Sequence, residues 1–246
     1  MKFLILGDVH AEYEPFKKAL DYAKANNLFV ISVGDLVDNG PNGYQVCRDM
    51  LELVRANRGA VIWGNHEWKI YRWLLGNPVT LGGNNQLTAE QMESNPEFKK
   101  VFLQLVEHCH NYLQINNKIF VTHAGVNPSF WETQPVTTKK DLGVFKYGQS
   151  DQSKTIPYKG EVYPLRVYDW VKKVPAGVKL FVGHDPRPME GTPDFDNFQK
   201  EPSTHYSGIG GTTIFLDCGA GKGGWLYGAV VNSVDESIIE YINFSK

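Results

Sequence analysis

The sequence predicts an α/β protein on three observations. Short apolar runs at 3–6, 29–32 and 60–63 stop at or just before Gly7, Gly34 and Gly64, as strands buried on both faces do. Between the runs lie segments whose apolar residues recur at helical spacing. Toward the end of the chain apolar and polar residues alternate, the pattern of antiparallel strands.

Residues 15–25 put Phe16, Leu20 and Ala23 on one helical face, and residues 44–56 do the same with Val46, Met50, Leu51 and Val54. The chain therefore opens β-α-β-α-β-α. A third helix is expected over 67–75, ended by Gly76-Asn77-Pro78, because glycine and proline together close helices. The polar Gly82-Gly83-Asn84-Asn85 follows, then a helical stretch from Thr88 to about Leu113, so that 76–112 reads as a helical insertion over the site. Residues 119–122 form a short strand before His123-Ala124-Gly125, and 178–182 another before Gly183-His184. From 126 to 177 the pattern is irregular, with turn signals at Asn127-Pro128, Tyr147-Gly148 and Tyr158-Lys159-Gly160; this region is expected to face the substrate. Residues 186–202, rich in Pro and Asp, are expected to be a mobile surface loop. Stretches at 212–216, 225–231 and 238–244 alternate as antiparallel strands that close a second sheet.

With 246 residues, 42% of them hydrophobic and 13% aromatic, the chain can bury a substantial core, and one domain over 1–246 is expected. The 25 Lys+Arg against 27 Asp+Glu leave a net charge of -2, which excludes a global basic field able to hold a long nucleic-acid duplex. Cys47, Cys109 and Cys218 are odd in number and lack C-x-x-C spacing, which speaks against a disulfide framework. The opening apolar stretch is too short for a signal-peptide core, and no run is long enough to span a bilayer. A cytoplasmic protein with no membrane contact and no obligate protein partner is expected.

The chemistry lies at the strand ends. Gly7-Asp8-Val9-His10, Gly34-Asp35-Leu36-Val37-Asp38, Gly64-Asn65-His66-Glu67 and Thr122-His123-Ala124-Gly125 each set Asp, Asn or His after an apolar run. Singly, such a segment reads equally well as a turn or a helix start, since Asn caps helices and Glu suits the first turn. In sequence at successive strand ends, with Gly183-His184 as a fifth, they can converge on one crevice. Carboxylate, amide and imidazole donors together suit Mn²⁺, Fe, Zn²⁺ or Co²⁺, with Mn²⁺ the first expectation for two divalent ions. Asp8 and His10 are spaced to grip one ion; Asp35 could bridge; Asn65, His123 and His184 would complete the second. Two ions about 3.5–4 Å apart lower the pKa of a shared water and clamp phosphoryl oxygens, so a metal-bridging hydroxide would attack phosphorus in line. His66 is the candidate general acid for the departing alkoxide, with Asp38 orienting and charging it. His108, His110 and His205 lack such support and are taken as structural or solvent-facing.

These segments, with Gly183-His184 and Leu216-Asp217-Cys218-Gly219, resemble the calcineurin-like metallophosphoesterases, in the branch of Ser/Thr protein phosphatases and symmetrical diadenosine tetraphosphatases. Within that branch Tyr147-Gly148, Tyr168-Asp169-Trp170, residues 216–221 and Gly223-Gly224-Trp225-Leu226 look most like the phosphatase module of bacterial polynucleotide kinase-phosphatases. The resemblance implies a double β-sandwich flanked by helices in four layers, and gives the six metal positions and the acid pair to the same residues.

Two departures from the family pattern stand out. Ala11 replaces a usual Gly, which costs nothing provided φ is negative there. Asn39 replaces a usual Arg that binds the terminal phosphate, and Asn has neither charge nor a bidentate fork. Arg166, Arg187, Lys146 and Lys222 are the candidate replacements. The expected function is hydrolysis of phosphomono- or phosphodiesters on a phosphorylated small molecule, nucleotide or nucleic-acid end, the missing Arg favouring diesters or cyclic phosphates. Two alternatives are a Ser/Thr protein phosphatase and a metal-bound binding module with little catalysis.

Overall fold

The computed structural model describes residues 1–135, 137–158, 161–191 and 197–246. Of the expected features, Lys159-Gly160 of the turn and 192–196 of the loop lie outside the described residues.

Strands β1 (Lys2–Leu6), β2 (Phe29–Ser32) and β3 (Gly59–Ile62) lie parallel, joined by helices α1 (Tyr13–Ala25) and α2 (Gly43–Arg55). The helices carry the expected stripes: Phe16, Ala19 and Ala23 are buried on α1, and Val46, Cys47, Met50 and Leu51 on α2. After α3 (Asn65–Leu74) the insertion departs from the single helix read from the pattern. It forms α4 (Asn84–Ser94) and α5 (Pro96–Val106), then turns into short strands β4 (Cys109–His110) and β5 (Leu113–Ile115). The break is at Asn95-Pro96: Pro96 has no N–H to continue α4, and the Asn95 side chain accepts from Glu97 N and Phe98 N to start α5. His110 therefore sits in a strand, not a helix.

Strand β6 (Ile119–Val121) starts a second sheet. The stretch 126–177, expected to be irregular, contains α6 (Phe130–Thr133), α7 (Lys139–Tyr147), a long hairpin of β7 (Gln149–Tyr158) with β8 (Glu161–Val167), and a 3₁₀ turn at Val171–Lys173. Then come β9 (Lys179–Val182), β10 (Ser203–Tyr206), β11 (Thr212–Phe215), β12 (Tyr227–Asn232) and β13 (Ile238–Asn243). The first sheet runs β13-β12-β1-β2-β3-β4 and the second β10-β11-β9-β6-β5. The last strands thus differ from expectation. β12 extends the first sheet antiparallel to β1 and β13 pairs antiparallel with β12, while β11 lies parallel to β9 in the second.

Alternation along each strand sets the layers. Phe3, Ile5, Ile31 and Ile62 of the first sheet meet Ile119, Val121, Phe181 and Ile214 of the second. Leu4, Leu6 and Val30 face the other way, onto α1, α2 and α5. Phe120, Leu180, Val182 and Phe215 pack against Phe130, Phe145 and Trp170. The result is a helix, sheet, sheet, helix sandwich in which each fully buried Leu, Ile or Phe contributes about 1.5–3 kcal/mol. β1, β2 and β3 share one direction, as do β6 and β9, so their carboxyl ends gather at one rim. Among the described residues no helix is long and apolar enough to cross a membrane.

Candidate functional site

At that rim the loops are packed too closely for ordinary side chains. A Cβ on Gly64 would come within 2.2 Å of Asp35 Oδ1, and one on Gly183 within 1.9 Å of Asp8 Oδ1. Several residues of the rim also hold left-handed backbone: His10 (φ 47), Asp35 (φ 49), Asp38 (φ 69), Asn39 (φ 69) and His184 (φ 68). Non-glycine residues there cost of order 1–3 kcal/mol each and persist only where the surroundings over-determine them. Ala11 joins this group at φ 57. The condition under which alanine replaces glycine without cost is therefore not met.

Asp35 is the centre of the arrangement. Its Oδ1 accepts the His66 backbone N–H at 3.1 Å. Its Oδ2 lies 3.8 Å from His10 Nε2, 3.7 Å from His66 Nε2 and 3.4 Å from His123 Nε2. Two clusters share this carboxylate, one with His10 and His66 and the other with His123 and His184. Asn65 Oδ1 stands 2.9 Å from His123 Nε2 and 2.8 Å from His184 Nδ1. Asp8 accepts the His184 N–H with both oxygens, at 3.1 and 3.0 Å, and its Oδ2 is 3.9 Å from His10 Nε2. The structure thus brings together Asp8, His10, Asp35, Asn65, His123 and His184.

The donors fit cations. His10 Nδ1 is 3.2 Å from the Val37 carbonyl and His123 Nδ1 is 2.9 Å from the Val33 carbonyl. A carbonyl only accepts, so each Nδ1 carries the proton and, in the neutral ring, each Nε2 presents a lone pair inward. His10 Nε2 is buried with no hydrogen-bond partner, and it faces carboxylate oxygens. His123 Nε2 likewise faces the Asn65 and Asp35 oxygens. Acceptor opposed to acceptor in a buried site is unfavourable, and a cation between them resolves it.

Electrostatics point the same way. Burial, then the charges of Asp217 and Asp35, push the Asp8 carboxyl well up. Burial likewise raises Asp217, whose Oδ2 is buried without a hydrogen-bond partner. For Asp35 burial acts upward, but positive charge at His123 and His66, were those rings protonated, would outweigh it and hold the carboxyl well below its ordinary range, an attraction that a cation would equally satisfy. Burial, followed by the Lys222 charge at His10 and the Arg166 charge at His184, holds both rings well below the ordinary histidine value.

The pair His66 and Asp38 lies beside this centre. His66 Nδ1 is 2.5 Å from Asp38 Oδ2, with Asp38 fully buried and the His66 side chain 21% exposed. Burial would lower the His66 pKa, but the Asp35 charge and the hydrogen bond and charge of Asp38 prevail and raise it.

Beyond the donors opens a cleft of about 390 Å³ lined by Asn39, Gly82, Asn85, Tyr163, Arg166 and Lys222 together with Asp35, Asn65, His66 and His184. Arg166 sits on β8, paired with Asp185 at 2.8 Å. Of the expected phosphate-binding cations, Arg166 and Lys222 are therefore at the cleft. Arg187 instead pairs with Glu190 and lines a separate hollow with Phe198 and Gln199. Lys146 packs over the Trp68 ring at 5.0 Å. The structure thus places Arg187, in the loop after β9, and Lys146, on α7, away from the cleft to which it brings Arg166 and Lys222.

Three residues of the site carry no role that the sequence pattern reveals. By pattern Glu67 only suits a helix start; fully buried, it accepts from Asp35 N, Leu36 N, Val37 N and Gly64 N, and burial with the Asp35 charge pushes it up to about 7. Asp217 lies within Leu216-Asp217-Cys218-Gly219, whose pattern gives it no role. Asn85 belonged to a polar stretch that gave no sign of its target.

Residues 1–209 match the calcineurin-like phosphoesterase family. The asymmetrical bis(5′-nucleosyl)-tetraphosphatase PrpE of Oceanobacillus iheyensis is 29% identical over 210 residues, covering 76% of this chain and 78% of its own. PrpE of Anoxybacillus flavithermus is 28% identical over 202 residues, covering 76% and 79%. Among solved structures, a protein serine/threonine phosphatase from Saccharomyces cerevisiae aligns with TM-score 0.57 at 16% identity, over 98% of this chain and 79% of that one. A cold-active protein-tyrosine phosphatase of a psychrophilic Shewanella species aligns with TM-score 0.57 at 15% identity, over 99% and 80%. At such identities the solved structures establish the fold alone. With the family match spanning most of the sequence, the chain belongs to the calcineurin-like phosphoesterases, metal-dependent enzymes that hydrolyse phosphoester bonds.

Proposed function

We propose that this enzyme hydrolyses phosphate esters of nucleotides and the phosphoanhydride bonds of dinucleoside polyphosphates, with two Mn²⁺ ions held by Asp8, His10, Asp35, Asn65, His123 and His184. The single observation that carries the reaction is Asp35 Oδ2, a carboxylate oxygen within 4 Å of nitrogen donors from both clusters. The nucleotide class is supported by the tetraphosphatase names of the relatives and by a cleft that pairs cations with an aromatic ring, Tyr163. The bound cations supply Lewis acidity to the phosphoryl oxygens and lower the pKa of a water. His66, its Nδ1–H donated to Asp38, turns Nε2 to the cleft and gives a proton to the leaving oxygen as the P–O bond breaks. Water then stands added across that bond, its oxygen on phosphorus. Arg166 and Lys222 take the phosphate charge that the usual Arg at position 39 takes in relatives, and Asn39 borders the same space.

The test is a panel run with Mn²⁺: an aryl phosphomonoester, an aryl phosphodiester, a 2′,3′-cyclic nucleotide, a dinucleoside tetraphosphate and a phosphoserine peptide. Turnover of the tetraphosphate above the peptide is expected. Turnover of the peptide alone would replace the nucleotide reading with protein phosphatase activity, and no turnover of any would remove the enzyme reading.

A further inference from the structure

The insertion sends one side chain into the acid pair. Asn85, in the first turn of α4, is 7% exposed; its Nδ2 donates to Asp38 Oδ2 and lies 3.3 Å from His66 Nδ1. From α3, Lys69 Nζ donates to Asn85 Oδ1 at 2.6 Å. An ammonium has only protons to offer, so it dictates which way the amide points: oxygen toward Lys69, NH₂ toward Asp38. Asp38 Oδ2 therefore receives two donors, His66 Nδ1–H at 2.5 Å and Asn85 Nδ2–H. The other oxygen, Oδ1, is buried with no hydrogen-bond partner. Only these two donors hold the carboxylate among the described contacts, and one of them is the ring that it must orient.

We infer that Asn85, held by Lys69, is a positioning residue for catalysis: it clamps the Asp38 carboxylate so that His66 Nε2 meets the leaving oxygen. Rotation of a carboxylate that accepts from His66 alone would carry the imidazole with it, whereas a second donor on the same oxygen fixes both. The inference rests on His66 being the general acid. It adds that the docked insertion completes the acid, so that the α4 turn matters most when the leaving group is a poor one. Esters of 4-nitrophenol leave as stable phenolates and need little proton donation, while alkyl esters leave as alkoxides and need it fully.

The experiment compares kcat and KM for 4-nitrophenyl phosphate and an alkyl phosphate in the Mn²⁺-loaded wild type and in Asn85→Ala, Asn85→Asp, Lys69→Met and His66→Ala. Asn85→Ala is expected to lower kcat on the alkyl ester about 10- to 100-fold while changing the aryl ester less than about threefold, with both KM values near wild type. Asn85→Asp keeps the contact with Lys69 but sets a carboxylate oxygen against Asp38 where the donor stood, so it should lose the alkyl activity at least as far as alanine. Lys69→Met should show a smaller loss of the same kind. Melting curves on metal-free protein accompany the kinetics, and Lys69→Met, which leaves Asp38 its second donor, should melt closer to wild type than either Asn85 variant. Equal losses on both esters, or no loss on the alkyl ester while His66→Ala loses it, overturn the role of Asn85 and leave His66 as the acid. If His66→Ala itself shows no selective loss, the reading of His66 fails and this inference fails with it.

Discussion

Glu67 and Asp35 belong to different sequence motifs, yet Glu67 Oε2 accepts the Asp35 backbone N–H at 2.8 Å while Oε1 takes Leu36 N at 2.7 Å and Val37 N at 3.2 Å. One buried carboxylate thus pins the whole loop that presents the shared Asp35 oxygen. Glu67→Gln keeps the shape but turns an amide NH₂ toward backbone donors. It should cost about 1–3 kcal/mol of stability and weaken Mn²⁺ binding roughly 10- to 100-fold, measured by thermal denaturation and calorimetric titration. Unchanged metal affinity would show that the loop holds its conformation without Glu67.

Asp35 and His66 should separate in a metal count. Losing the shared oxygen should drop Asp35→Ala below one bound Mn²⁺ per chain by elemental analysis, with activity down by about a thousandfold or more. His66→Ala should keep the wild-type metal content and lose activity by about 10²–10⁴-fold on alkyl esters. His66 Nε2 stands 3.7 Å from Asp35 Oδ2, so loss of metal in His66→Ala would make it a ligand instead of the acid.

The alkaline limb of the activity profile should follow His66. Burial lowers its pKa, but the Asp35 charge and the hydrogen bond and charge of Asp38 raise it on balance. In the loaded enzyme cations would offset the Asp35 charge, which leaves Asp38 to hold the proton on His66; the acid is protonated at low pH and lost as pH rises through its pKa. Asp38→Asn removes a negative charge, favours the neutral ring, and should move the limb toward lower pH while cutting kcat about 10- to 100-fold. A limb that stays in place would assign it to another group.

Phosphate capture should fall to Arg166 and Lys222. Arg166→Ala should lower kcat/KM for phosphomonoesters about tenfold or more, and it leaves Asp185 without its 2.8 Å partner. Arg187→Ala, in the hollow beside Glu190 and Phe198, should stay within about twofold. If Arg166→Ala also stays within about twofold, the arginine serves to seat Asp185 and not the substrate.

Strand and helix positions in the first half were legible because they depend on near neighbours. The runs around Leu4, Ile31 and Val61 carry their own strand signal, and the Phe16 to Ala23 and Val46 to Leu51 stripes carry their own helical one. The Asn95-Pro96 break was written in the sequence as well, but helical spacing on either side of it masked the stop. Where the last strands attach was not legible. Alternation marks Tyr227–Asn232 as a strand, yet its joining β1 depends on which apolar faces meet across the sandwich.

By itself the sequence determined that Asp8, Asp35, Asn65, His123 and His184 stand at the ends of strands, because an apolar run and the residue that stops it are adjacent in the chain. Only the tertiary structure decided that Asp35 Oδ2 lies between two clusters, that Ala11 sits in left-handed backbone, that Arg166 and Lys222 reach the cleft while Arg187 and Lys146 turn away, and that Asn85 touches Asp38. Apart from the Ala11 dihedral, these are distances between residues far apart in the chain, and close packing of two sheets and a docked insertion sets them, which no local pattern encodes.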